Sequence, residues 1–171
     1  VFFASEELGL DPVAIGLVLA SAGMSGVIGA GLAPRLSERF GLGLVVCLAG
    51  WTSPLAFLMT ALAPQGGAGV VVLVAAQLVY GLGNGLSGPL TMSYRNAVTP
   101  DRLRARMNAT IRSLNWGTIT VSAPLAGWFA VMFGNRPTIL VCVVGLAVAA
   151  LIPTVSPFLR AEMPEHDAET T

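Results

Sequence analysis

The chain has no lysine, and charged residues of any kind make up only 11% of its 171 residues. An ordinary soluble domain carries about 25%. Acidic side chains are also missing from where they would be most informative. None occurs in the long apolar runs that dominate the chain, and neither does its one histidine, His166. A membrane-embedded enzyme needs a nucleophile, base or metal cluster within its spans, so that class is excluded. The two cysteines, Cys47 and Cys142, fall in separate apolar runs. They form no disulfide framework and no metal-ligand spacing, and they read as small apolar packing residues. His166 has no ligand cluster near it, so no metal site is expected, and no cofactor is implied. Net charge is zero, which leaves no basic footprint for nucleic acid.

What is present is apolar. Hydrophobic residues make up 54% of the chain, and mean hydropathy is +0.77. Five apolar runs follow one another: Val13–Pro34, Leu42–Ala63, Val70–Met92, Met107–Phe133 and Pro137–Phe158. About 20 apolar residues in a helix cross about 30 Å of hydrocarbon, so each run is long enough to span a bilayer. A soluble protein of this length has too little polar surface to hide five such helices. The expected fold is an all-α integral membrane protein.

The arginines orient the spans. Arg35, Arg39, Arg95, Arg102, Arg104, Arg106 and Arg160 fall between or after spans on one side, and only Arg136 on the other. Short arginine-rich loops stay in the cytoplasm. Loops 35–41 and 93–106 and the C-terminal tail are therefore expected inside, and the N-terminal segment outside. No basic start of a signal peptide precedes the first span. Val1-Phe2-Phe3 reads instead as the last turn of an earlier helix, so residues 1–12 are expected to follow a helix upstream. Residues 159–171 are acidic and polar and are expected to be a disordered tail.

Three spans carry polar or small-residue faces. In the first, Ala22, Gly26, Gly29 and Ala33 form one stripe, the sort of face along which helix backbones approach closely. In the third, Gln77, Tyr80, Asn84 and Ser87 share a face within about 80° at helical spacing, with Gly81, Gly85 and Gly88 on the adjoining stripe. Amides facing lipid cost several kcal/mol each if unsatisfied. That face must look into protein or a water-filled cavity, and either interhelical hydrogen bonding or cavity lining fits it. The fourth span opens on Thr99-Pro100-Asp101, with Thr99 as cap, Pro100 at the first helical position and Asp101 at the positive end. Within it Asn108, Arg112 and Asn115 fall on one face, with Trp116 next to Asn115. Arg112 either snorkels to the phosphates or serves a gate. The second and fifth spans are plainer and are expected to face lipid.

Two segments resemble the major facilitator superfamily, secondary transporters built from two six-helix halves. Ala30-Gly31-Leu32-Ala33-Pro34-Arg35-Leu36-Ser37-Glu38-Arg39-Phe40-Gly41 is similar to the superfamily's loop signature G-x-L-a-D-R-x-G-R-r-x-G. Ala30 replaces the first Gly, Pro34 the Asp, Ser37 the second Gly and Glu38 an Arg. Tyr94–Arg112, ending in Trp116-Gly117, resembles the loop between helices ten and eleven in the branch that includes the enterobactin exporter, with Ala105 in place of a Gly. The resemblance implies five of the six helices of a C-terminal half, eight to twelve. It implies a substrate cavity flanked by the first, third and fourth spans, with Gln77, Tyr80, Asn84, Ser87, Asn108, Asn115 and Trp116 as lining candidates. It implies a cytoplasmic gate built from Arg35, Arg39, Asp101, Arg102, Arg104, Arg106 and Arg112. The expected function is efflux of a small amphipathic substrate by alternating access across a bacterial inner membrane. The implied partners are the lipid bilayer and the N-terminal half of the same transporter. The alternative is a small oligomeric membrane protein, a scaffold or channel subunit.

Overall fold

The structure, a computed structural model, describes residues 12–64 and 66–156. They form five helices: α1 (Pro12–Phe40), α2 (Leu42–Ala61), α3 (Gly67–Val98), α4 (Asp101–Phe133) and α5 (Asn135–Val155). Each is long and apolar enough to cross a membrane. The expectations for residues 1–11 and 157–171, Arg160 included, lie outside the described residues.

α1, α3 and α4 run further than hydropathy suggests, whereas α2 stops at Ala61, short of the end of its apolar run. Residues 35–40 continue α1 instead of forming a loop, and residues 93–98 continue α3. The expected loop at 93–106 reduces to Thr99 and Pro100. At 1.5 Å per residue, the 32 residues of α3 and 33 of α4 extend about 48–50 Å, well past the hydrocarbon. Apolar composition stops where hydrocarbon stops, but nothing in Arg35–Phe40 breaks a helix. Even Pro34 is accommodated inside α1.

Glycine and proline make the breaks. Gly41, Gly66 and Gly134 have φ of 85°, 84° and 92°, a region that glycine enters without steric cost. The Gly41 and Gly134 amides each donate at 2.9 Å to a carbonyl four residues back, Ser37 and Ala130, closing the helix ends. Between α3 and α4, Pro100 holds Thr99 extended at φ −103°, ψ 127°, as the residue before a proline prefers. Thr99 does not cap α4. Its hydroxyl donates back to the Arg95 carbonyl at 2.7 Å, and Pro100 occupies the cap position without a side-chain bond.

α3 is the centre of the bundle, held between α1 and α2. Cβ positions at Gly81 and Gly85 point at the α1 backbone carbonyls of Ala22 and Gly26, and one at Gly29 points at the Leu82 carbonyl, 2.5 Å away. On the opposite side of α3, Gly83 abuts Thr52 and the Ala49 carbonyl of α2. Gly88 has nothing within 4 Å of its Cβ direction, so it takes no part in close packing. An apolar cluster sits on either side of this glycine waist. One is built on Val18, Ala63 and Leu73, the other on Ala33, Leu42, Val45 and Leu90.

α2 is not simply an outer helix. It buries Leu42, Val45, Cys47, Ala49, Ala56 and Ala61 between α3 and α5. Trp51 Nε1 donates to Thr154 Oγ1 at 3.3 Å, and Arg136 Nη2 donates to the Ala63 carbonyl at 3.0 Å, which joins the start of α5 to the end of α2. α4 differs from all of these. It packs chiefly on α5 and has no buried residue.

Candidate functional site

A cavity of about 470 Å³ opens at the arginine-poor end of the bundle. α1 supplies Ile15, Val18 and Leu19; α2 supplies Ala56, Phe57 and Thr60; α3 supplies Leu73, Ala76, Gln77 and Tyr80. Ala130 of α4 and Asn135, Thr138 and Ile139 at the α5 start complete it. The wall is apolar, with neutral hydrogen-bonding groups spaced around it and no charged side chain.

Those polar groups differ in how far they are already used. The Thr60 hydroxyl donates to the Ala56 carbonyl at 2.9 Å, and the Thr138 hydroxyl to the Gly134 carbonyl at 2.8 Å, leaving each oxygen able to accept. The side-chain amides of Gln77 and Asn135 have no hydrogen-bond partner among the described residues. Accessible from the cavity, they can bond a ligand that carries both donors and acceptors. The Tyr80 ring meets the Phe57 ring edge-on, with centroids 6.1 Å apart and planes at 68°. Together they offer an aromatic surface beside the amides.

The structure divides the residues read from the sequence as cavity lining. Gln77 and Tyr80 line this cavity. One and two turns further along α3, Asn84 and Ser87 do not. The Asn84 amide donates to the Tyr80 carbonyl at 3.0 Å, and the Ser87 hydroxyl to the Gly83 carbonyl at 2.9 Å. Asn108 Nδ2 donates to Asn96 Oδ1 at 3.1 Å, tying the start of α4 to α3 beside the Thr99-Pro100 link. Asn115, Trp116 and Arg112 lie on the exposed face of α4.

Apart from Arg112, the residues read as a gate gather at the opposite end, on α1 and α4, and Arg95 stands at the matching end of α3. Arg35 and Arg39 are exposed at the end of α1 and Arg102 and Arg106 at the start of α4. Arg95 Nε donates to the Thr91 carbonyl at 3.2 Å. Asp101 pairs with Arg104 at 2.9 Å, one turn along the same helix, with the side chains 87% and 44% exposed. Such surface pairs contribute 1 kcal/mol or less. Among the described residues this pair links no two helices.

Sequence patterning left several participants unmarked. Phe57, Thr60 and Asn135 sit in or beside plain spans and acquire their role only because α2 and α5 close on α3. Gly83 carries the α2 contact although it lies outside the Gly81–Gly85 stripe. One signal was readable: a glycine two residues from that stripe faces the opposite side of a helix.

Residues 1–170 of the 171 match the Major Facilitator Superfamily. It belongs to that superfamily, and is a multi-pass membrane protein. Two relatives come from Bacillus subtilis (strain 168). An arabinose-proton symporter is 29% identical over 107 residues, 63% of this chain and 22% of that protein. The putative metabolite transport protein YwtG is 31% identical over 126 residues, 74% of this chain and 26% of its own length. The chain thus spans about a quarter of the length of these relatives. No solved structure matches it.

Proposed function

We propose that this superfamily chain forms part of a secondary transporter of the plasma membrane that works by alternating access, in which the cavity at Gln77 and Tyr80 takes up cargo from outside. The observation that carries this is a superfamily match over residues 1–170 combined with a cavity of substrate size and neutral polar lining. The arginine-rich ends of α1, α3 and α4 face the cytoplasm in this reading, as positive charge in short loops favours, and they act in the inner gate.

The cargo is a small neutral metabolite. The unpaired amides of Gln77 and Asn135 suit hydroxyl groups, and the names of both relatives refer to transport of arabinose or of a metabolite. The efflux expectation, drawn from the Tyr94–Arg112 segment, finds no counterpart in those names. Among the described residues the acidic side chains are Glu38 and Asp101, both at helix ends. A carboxylate that couples transport to protons must therefore lie outside the described residues.

Vesicles carrying the full-length transporter are expected to accumulate a labelled neutral pentose or hexose when a proton gradient is imposed, and Gln77→Leu to cut that uptake at least tenfold. Uptake that ignores the gradient, or a Gln77→Leu protein that transports normally, would overturn the proposal.

A further inference from the structure

A second cleft, of about 370 Å³, lies at the arginine end on the other side of the waist. Leu36 and Phe40 of α1, Leu44 and Leu48 of α2 and Leu86 of α3 line it. Its polar lining residue Thr52 is already bonded, the hydroxyl donating to the Ala49 carbonyl at 2.7 Å. Nothing in the cleft asks for a polar ligand, yet Phe40 and Leu48 are 56% and 62% exposed. At about 370 Å³ and with an apolar lining, the cleft suits a hydrocarbon chain.

Its mouth is basic. At about 100° per residue, Arg35 and Arg39 form a stripe next to the Leu36–Phe40 stripe, and Glu38 lies on the far side of the arginines. The Arg39 guanidinium stands 5.5 Å from the Phe40 ring centroid. Neither arginine pairs with a carboxylate among the described residues. Two guanidiniums one turn apart suit a phosphodiester, which they contact through paired N–H donors. Basic pockets between spanning helices are known to hold anionic lipid headgroups.

We infer that this cleft binds one anionic phospholipid, with an acyl chain along Leu36, Leu44, Leu48 and Leu86 and its phosphate against Arg35 and Arg39. The lipid would tie α1 to α2 across the Gly41 break. This inference does not depend on what the transporter carries.

Native mass spectrometry of the protein in neutral detergent tests it, with equimolar dioleoyl-phosphatidylglycerol and dioleoyl-phosphatidylcholine added. Phosphatidylglycerol is expected to be retained in at least about fivefold excess, the worth of one arginine near a lipid surface. R35Q/R39Q should bring the ratio near one, L48W should reduce retention by filling the cleft, and R102Q, outside the cleft, should keep the preference. Glycerol 1-phosphate should not displace the lipid. Equal retention of the two lipids by the unaltered protein, an undiminished preference in R35Q/R39Q, or displacement by glycerol 1-phosphate overturns the proposal. If R35Q/R39Q loses its helical circular dichroism, L48W decides: unchanged retention in that variant overturns it.

Discussion

Replacing Gly29 by alanine adds one methyl group where the backbones of α1 and α3 meet. Its Cβ would stand 2.5 Å from the Leu82 carbonyl oxygen, 3.1 Å from the Leu86 nitrogen and 3.2 Å from the Gly85 carbonyl carbon. All three are backbone atoms, so no side chain can rotate away. Ordinary contact needs about 3.5 Å, so α1 and α3 must part by about 1 Å along much of their shared face. Overpacking of this kind costs about 1–3 kcal/mol. For a chain of this size each kcal/mol lowers the unfolding temperature by about 2–4 °C, giving about 4–8 °C for a mid-range cost. Gly23, in the same helix, has nothing within 4 Å. Gly23→Ala should leave the temperature unchanged or raise it, because alanine is the better helix former. Thermal unfolding in detergent, read by circular dichroism and by reaction of the buried Cys47 thiol with a maleimide dye, compares the two. A Gly29→Ala protein that unfolds at or above the temperature of Gly23→Ala would refute the close-packed waist.

Arg136→Gln should lower stability by about 1–2 kcal/mol through loss of a charge-assisted bond to the Ala63 carbonyl, visible as earlier melting; an unchanged transition would remove this bond from the account. A double-mutant cycle on Trp51→Phe and Thr154→Val is expected to give a coupling of about 0.6 kcal/mol, the usual worth of an interhelical hydrogen bond in a membrane, and zero coupling would show that the 3.3 Å contact contributes nothing. Replacing Arg102, Arg104 and Arg106 together by Gln should produce a fraction of inverted molecules, detected by labelling of a cysteine placed at Gly66 from either side of the membrane. Uniform, unchanged orientation would move the topological signal to the other arginines. In transport assays Asn84→Leu is expected to act weakly beside Gln77→Leu, since the Asn84 amide bonds its own helix at 3.0 Å.

The five spans were legible because hydrocarbon thickness imposes a length and a composition that no soluble segment imitates. Helix ends were less legible. Arg35–Phe40 and Ser93–Val98 look like loops by polarity, yet a helix emerging into water keeps its own hydrogen bonds, and only Gly41 and the Thr99-Pro100 pair stop it. The glycines of α3 announced close packing, and spacing set Gly83 on the far side of the helix. Which helix each one meets depends on tertiary arrangement, so neither the α2 partner of Gly83 nor the open surroundings of Gly88 could be read from spacing. The polar face of α3 was read as one surface. Its two halves separate because Gln77 and Tyr80 line the cavity, while Asn84 and Ser87 lie beyond it and donate to carbonyls of their own helix. Phe57, Thr60 and Asn135 carried no local signal at all, since a cavity is a property of several helices together.

The most direct test is protection of a cysteine in the cavity. Thr60→Cys, in a background with Cys47 and Cys142 replaced by Ala, is treated in intact cells with a membrane-impermeant maleimide, with and without the neutral sugar that the vesicle assay identifies as cargo. Expected is modification from outside, slowed several-fold by the sugar. Modification that requires permeabilised cells, or a rate indifferent to the sugar, would contradict the placement of an outward-facing cargo site at Gln77 and Tyr80.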